Sequence, residues 1–309
     1  MSYMIDARPI ASLVTPRDER GAVDFRAFDR SAAFALEKGA KGICVAAAEG
    51  EYLGVSSDER IEMFTRTRMM AGDQQMICGI GAPSSEQVIR LGREAFDTGA
   101  DAVLVPPPSY YRYDQSDLRS FYDEVARKLD RPLILANVPR HATPIDAAVV
   151  SSLCCDIPNL IGVSDSSDSL GTLSRVGAVG RGTARLVGQG GMLVEALEAG
   201  CCDGIISGVA AVLPELIVAI LDAHSARDDA RFFKLAASLE DVSERIEKLP
   251  IPWGFKLIAE CRGLGKASFA MPLSLSRREQ AAAFKAWFRG WWHGPNGLGL
   301  LERKAAASA

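Results

Sequence analysis

Short apolar runs alternate with segments of helical periodicity along most of this chain, and that alternation most constrains its fold. The runs lie at 9–16, 42–48, 75–81, 102–108, 132–139, 160–166, 185–191 and 204–210. Each is nearly continuously apolar, which is typical of parallel strands whose outer face is covered. Between them, segments such as 24–39, 57–71, 84–99 and 114–129 have helical apolar spacing. Eight strand–helix units in series predict an α/β fold, a (β/α)8 TIM barrel.

Helical patterns continue after the last predicted strand. They cover 227–247, 252–262 and 276–291. We therefore expect a barrel over 1–225 and a C-terminal helical extension, packed on the barrel, over 226–309. The tail from Trp291 has little pattern and ends in small residues, so we expect it to be partly disordered or packed across a partner subunit.

Composition and charge exclude several classes of protein. The formal net charge of −4 gives no electrostatic reason to expect a nucleic acid or an anionic membrane surface as partner. No N-terminal signal is visible, and no apolar run approaches the roughly 20 residues of a spanning helix. The seven cysteines are an odd number without Cys-x-x-Cys spacing, which favours reduced thiols. We expect a cytoplasmic protein with no cofactor, no bound metal, no nucleic acid and no membrane.

Short motifs lie within or just after several of the predicted strands. They are Leu13-Val14-Thr15-Pro16, Gly50-Glu51, Pro107-Pro108 with Tyr110, Asn137-Val138-Pro139, Gly162, Gly188 and 203–208. In this order and spacing the chain resembles the dihydrodipicolinate synthase/N-acetylneuraminate lyase family of (β/α)8 aldolases, over roughly residues 8–275. The resemblance implies a lyase for a small oxo acid or sugar acid that forms a homodimer or homotetramer.

The family's catalytic lysine is missing. In the family this lysine ends strand six and forms a Schiff base with a 2-oxo acid, whereas here the strand ends in Ser164. A serine hydroxyl cannot form an imine, so we expect neither Schiff-base aldolase activity nor dihydrodipicolinate synthesis. Ser164 is then a remnant, a hydrogen-bonding ligand contact, or a nucleophile that needs His141 as base and Asp165 beside it.

Other chemistry-bearing positions have changed with the lysine. The family's G-T-T-G-E loop, which holds the substrate carboxylate, reads 47–51 Ala-Ala-Glu-Gly-Glu, and the tyrosine of its proton relay is Ala136. Tyr110 matches the tyrosine that in the family crosses a dimer interface. Glu49 is either solvated or directed into the pocket, where it would repel a carboxylate and favour a cationic or hydroxylated ligand.

The resemblance and the barrel geometry together give a set of candidate site residues, because such sites lie at the carboxyl ends of the strands. The candidate catalytic residues are Tyr110 and Ser164. The candidate substrate-binding residues are Ala48, Glu49, Asn137, His141, Asp165, Gly188 and Ile206. Three of these, Glu49, His141 and Asp165, are ligand types for a divalent ion, but no local motif fixes a metal geometry.

Two functions fit this sequence. The first is a lyase or hydro-lyase that works without an imine on a small oxo acid or sugar acid. The second is a non-catalytic homologue that binds a metabolite or a partner subunit.

Overall fold

The eight predicted strands form a closed parallel barrel in chain order, with the first strand paired to the eighth. The computed structural model describes residues 9–179 and 182–294. The strands are β1 Ile10–Ser12, β2 Gly42–Val45, β3 Gln75–Gly79, β4 Ala102–Val105, β5 Leu133–Asn137, β6 Leu160–Asp165, β7 Ala184–Val187 and β8 Gly204–Ser207. The predicted (β/α)8 TIM barrel is therefore confirmed.

Helices follow every strand and then continue past the barrel. Those of the barrel are α1 Phe25–Glu37, α2 Ser57–Ala71, α3 Ser85–Asp97, α4 Gln115–Leu129, α5 Ala147–Asp156, α6 Gly171–Ala178, α7 Leu193–Glu198, α8 Gly208–Val212 and α9 Pro214–Ser225. The later ones are α10 Asp229–Glu247, α11 Trp253–Cys261 and α12 Leu275–His293. The predicted C-terminal helices are thus present.

Side-chain caps fix where several helices begin. Asp24 accepts a hydrogen bond from the Ala27 N–H at the start of α1. At the start of α2 the Ser56 hydroxyl accepts from the Glu59 N–H while the Glu59 carboxylate accepts from the Ser56 N–H. Such caps satisfy backbone donors that the first turn of a helix leaves without a partner.

The apolar side chains of the strands form two layers. Those on the inner face of the barrel make a small cluster that includes Ile10, Ile77, Leu104 and Ile134. Those on the outer face pack against the helices in the main core. Because both faces of the sheet are covered, the strands read as continuous rather than alternating apolar runs.

The C-terminal helices pack against the barrel and against each other. Helix α10 contacts α9 and α11, and α11 contacts α8 and α12. The division of the chain at residue 225 stays a prediction. Trp291 is buried on α12, and the tail after 294 lies outside the described residues. Within the described part of the chain, no helix has the length and apolarity needed to cross a membrane.

Candidate active site

Two adjoining cavities open at the carboxyl ends of the strands. The larger has a volume of about 300 Å³ and the smaller, on the side of α10, about 80 Å³. The two cavities share a wall, since Glu49, His141, Ser166 and Gly188 line both. The last inward-facing side chains of β5 and β6, Ala136 and Ser164, are small and leave room for the larger cavity, which larger side chains would fill.

Glu49 lies in the wall of both cavities and is held from the barrel side. The Ser12 hydroxyl on β1 donates to Glu49 Oε2 at 2.8 Å, and the Gly208 N–H at the start of α8 also donates to this carboxylate. Burial raises the pKa of Glu49 and outweighs the opposing effect of these hydrogen bonds. The structure therefore directs Glu49 into the pocket.

Ser164 and Asp165 are neighbours on β6 and point to opposite faces of the sheet. Ser164 lines the larger cavity and is 4% exposed. Asp165 instead accepts hydrogen bonds from Asn137 Nδ2 at 2.9 Å and from the Ser167 hydroxyl at 2.9 Å. Asn137 Oδ1 in turn accepts from the Ile145 N–H at 3.1 Å. The predicted residues Asn137 and Asp165 thus contact each other and line neither cavity.

His141 follows β5 and lines both cavities. Partial burial, with the positive charge of neighbouring Arg140 as a second cause, lowers its pKa. Both effects favour the neutral imidazole. Asp165 does not orient it, because that carboxylate is engaged with Asn137 and Ser167.

Gly188, Ala48 and Ile206 shape the walls of the larger cavity. The Gly188 N–H donates to the Asp165 carbonyl at 2.8 Å, which fixes the loop after β7 against β6. A Cβ atom at 188 would lie 3.1 Å from the Ser164 hydroxyl and would collide with that of Ser166. Glycine at this position keeps the serine hydroxyls accessible to the cavity.

Tyr110 lies apart from the other candidates. It is 91% exposed, has a left-handed backbone with φ of 80°, and contacts Tyr111 edge-on with ring centroids 4.9 Å apart. Its side chain lines neither cavity. Its predicted catalytic role stays a prediction.

Several residues of the larger cavity were not among the candidate site residues chosen from the sequence. Tyr52 and Ser109 both line it and hydrogen-bond to each other, and burial raises the pKa of Tyr52. Ser12 is the polar residue of an otherwise apolar β1, and that interruption was a usable signal. Glu51 also lines the larger cavity and is ion-paired with the buried Lys256.

The described parts of the chain, 9–179 and 182–294, contain no group of three or more His, Cys, Asp or Glu side chains that could hold a metal ion. Of the three side chains of metal-ligand type noted in the sequence, Glu49 and His141 line the larger cavity, but Asp165 faces away from them.

The fold and the site define a class of protein. The cavity at the carboxyl ends of the strands holds a carboxyl group, an imidazole and several hydroxyls. Such a cavity in a (β/α)8 barrel is typical of the small-molecule sites of barrel enzymes.

The chain belongs to the dihydrodipicolinate synthetase family, which it matches over residues 6–288. It is 31% identical to a 4-hydroxy-tetrahydrodipicolinate synthase of Kosmotoga olearia, over 90% of this chain and 97% of that protein. It is 30% identical to an uncharacterized DapA-like lyase of Pyrococcus abyssi, over 76% of this chain and 80% of the relative. The crystal structure of dihydrodipicolinate synthase from Aquifex aeolicus has a TM-score of 0.85 and 22% identity, covering 92% of this chain and 98% of that one. The predicted family is confirmed, and with it the lyase class.

Proposed function

We propose that the chain is a lyase or hydro-lyase that acts on a small oxo compound by acid–base catalysis instead of through an imine. One observation carries the proposal. Glu49 and His141 line the same cavity, and burial raises the pKa of the first from 4.5 and lowers that of the second from 6.5. A carboxyl group whose pKa is raised toward neutral pH is suited to act as a general acid, and a histidine held in its neutral form is suited to act as a general base.

The absence of an imine is supported by what surrounds the cavities. Among the described residues that line them there is no lysine, and Ser164 stands at the end of β6. Lys256 is buried but is engaged by Glu51 and by the Ser268 carbonyl at 2.8 Å. An imine needs a free amine that reaches the substrate's carbonyl carbon.

The hydro-lyase reaction assigns a role to each of three groups. Neutral His141 takes a proton from the carbon beside the substrate's carbonyl, and protonated Glu49 gives a proton to the departing hydroxyl. The C–H and C–O bonds break, a C=C bond forms and water leaves. The Ser164 hydroxyl donates a hydrogen bond to the carbonyl oxygen, where negative charge develops. The family resemblance favours an oxo acid or a sugar acid as substrate.

Imine chemistry is tested by trapping. The protein is incubated with pyruvate and borohydride, and its intact mass is compared with that of a family member that retains the lysine. We expect no mass increase here and a reduced pyruvyl adduct on the control protein. An adduct on this chain would contradict the non-imine mechanism.

Catalysis is tested by turnover. Oxo acids, sugar acids and their neutral counterparts are screened by NMR, and any substrate is then assayed with Glu49→Gln and His141→Ala. We expect kcat to fall by about 10²–10⁴-fold in each variant, which is typical for loss of a general acid or base. Glu62→Gln, on the exposed face of α2, is the matched control and should keep full activity. Ligands that bind without turnover would favour the non-catalytic homologue instead.

We further propose that the chain assembles as a homodimer or homotetramer. Tyr110 and Tyr111 support this, because two adjacent aromatic side chains are exposed by 91% and 67% next to Ser109 in the cavity wall. Light scattering of the wild type should give a dimer or tetramer mass, and Tyr110→Ser should shift it toward the monomer. A wild type that is monomeric at all concentrations would contradict this assembly.

The prediction of a cytoplasmic location has one structural support. All seven cysteines are free thiols, as expected in a reducing compartment. Fractionation of cells that express the tagged protein would test it, and recovery outside the cytoplasm would contradict it.

A further inference from the structure

Hydroxyl groups are the main polar groups that face the two cavities. The larger is lined by the serines Ser12, Ser109, Ser164 and Ser166. The smaller is lined by Ser166, Ser207 and Ser243. The rest of the larger wall is mostly small and apolar, such as Ala46, Ala47 and Ala48. Hydroxyls both donate and accept hydrogen bonds and carry no charge at any ordinary pH.

Neither cavity wall, among the described residues, offers an unpaired cationic side chain that could bind an anionic ligand. No arginine or lysine among the described residues lines the larger cavity, and Arg140 is the one such residue at the smaller. Arg140 lies 2.8 Å from Asp168 and 3.8 Å from Glu247. Glu247 itself lines the smaller cavity and also accepts from Gln189 Nε2 at 2.9 Å. The carboxylates around Arg140 therefore already balance its charge.

A ligand carboxylate in the larger cavity would face Glu49 without a counter-ion. The nearby groups do not supply one: the Cys44 thiol is kept neutral by burial, which raises its pKa, and Glu51 is paired with Lys256. Two carboxylates in one apolar cavity cannot both remain ionised without a large loss of affinity. A ligand hydroxyl, by contrast, can donate to the Glu49 carboxylate or accept from its protonated form.

Ser243 provides an independent sign of a hydroxylated ligand. Its side chain is on α10, is 6% exposed and lines the smaller cavity, yet its hydroxyl has no hydrogen-bond partner within the described residues. Ser238, five residues earlier on the same helix, is equally buried but donates to the Lys234 carbonyl at 3.3 Å. A buried hydroxyl without a partner is rare, and a ligand in the smaller cavity would supply the missing one.

We propose that the joined cavities bind an uncharged polyhydroxylated carbonyl compound, a sugar or a sugar lactone, and discriminate against the corresponding sugar acid. Glu49 in the larger cavity and Ser243 in the smaller one hydrogen-bond to hydroxyls at the two ends of the ligand. The proposed ligand is uncharged, in contrast to the oxo acid or sugar acid that the family resemblance implies. This inference rests on the proposed lyase activity for turnover but not for binding.

Matched pairs of ligands test the charge selection. Xylose with xylonate, and arabinose with arabinonate, have the same carbon skeletons and differ in the acid group. Binding is measured by saturation-transfer NMR and titration at millimolar concentration. We expect the acid of each pair to bind at least about tenfold more weakly than the sugar. At a pH where wild-type Glu49 is ionised, Glu49→Gln should bring the two affinities close together, whereas Glu62→Gln should leave the ratio unchanged.

A pair of serine variants tests the smaller cavity. Ser243→Ala should weaken binding of the sugar several-fold, and Ser238→Ala should leave it unchanged, with circular dichroism confirming that both fold. The inference is overturned if the acids bind as tightly as the sugars, if no neutral sugar binds, if Glu49→Gln leaves the ratio unchanged, or if Ser243→Ala binds like wild type. A sugar that binds without turnover refutes the lyase alone, whereas turnover of a sugar acid refutes this inference alone.

Discussion

Replacing Glu49 by Gln is expected to stabilise the folded protein at neutral and alkaline pH. The carboxylate is buried in the cavity wall, where it accepts from the Ser12 hydroxyl at 2.8 Å and from the Gly208 N–H. The amide oxygen of Gln can still accept the hydrogen bond from Ser12, while the charge that burial penalises is gone. A residue kept for function at the expense of stability should behave in this way.

The pH dependence of the free energy of unfolding follows from the raised pKa of Glu49. The pKa of Glu49 is raised above 4.5 in the folded state, so the folded protein holds this proton more tightly than the unfolded chain does. Below pH 4.5 both states are protonated and Glu49 contributes its full stability. As the pH rises from 4.5 to the folded pKa, wild type loses about 1.4 kcal/mol of stability for each unit. Gln at this position does not titrate, so the stability of the variant does not fall with pH for this reason.

Urea denaturation monitored by tryptophan fluorescence measures the effect, since four tryptophans are present. Wild type and Glu49→Gln are compared from acidic to alkaline pH, with Glu62→Gln as the control for loss of a surface carboxylate. The advantage of Glu49→Gln should grow with pH and then level off. A difference that does not change with pH, or an equal trend in the control, would refute the argument.

Four other substitutions have expected effects that the same denaturation assay measures. Gly79→Ala should destabilise by about 1–3 kcal/mol, because its Cβ would lie 2.7 Å from a backbone carbonyl carbon in the loop after β2. Gly290→Ala, on α12, where a Cβ would meet no atom within 4 Å beyond the adjacent helix backbone and chain neighbours, should stabilise by about 0.5–1 kcal/mol. Lys256→Ala leaves Glu51 without its buried partner and should cost about 3–5 kcal/mol. Asp165→Ala removes the acceptor of hydrogen bonds from two neighbouring residues and should cost about 1–3 kcal/mol with ligand affinity unchanged. A neutral result for Gly79, Lys256 or Asp165, a destabilised Gly290 variant, or weaker ligand binding after Asp165→Ala would contradict the corresponding argument.

The barrel was predictable because its pattern is local. Each strand is a short apolar run, and burial on both faces makes that run continuous in the sequence. The order of strands and helices then leaves few topologies that can cover every strand. The prediction that Ser164 forms no imine could also be made from the sequence, because a hydroxyl lacks an amine's chemistry wherever the side chain lies.

The direction of side chains at the cavity was not predictable in the same way. Ser164 and Asp165 are adjacent in sequence, and the pairing of β5 with β6 sets Ala136 beside Ser164 and Asn137 beside Asp165. That register puts the first pair inside the barrel and lets the second pair bond to each other outside the cavity. The resemblance and the barrel geometry made Asn137, Ser164 and Asp165 equally candidates for the site.

The sequence by itself determined the barrel and the family, and it predicted the loss of the Schiff-base lysine, since each depends on local pattern or residue type. Only the tertiary structure decided that Glu49 enters the cavity, held by Ser12 from β1 and by Gly208 after β8. It also decided that Ser243 of α10 closes the smaller cavity. The physical reason is that burial and hydrogen bonding between residues far apart in the chain set both the direction of a side chain and its pKa.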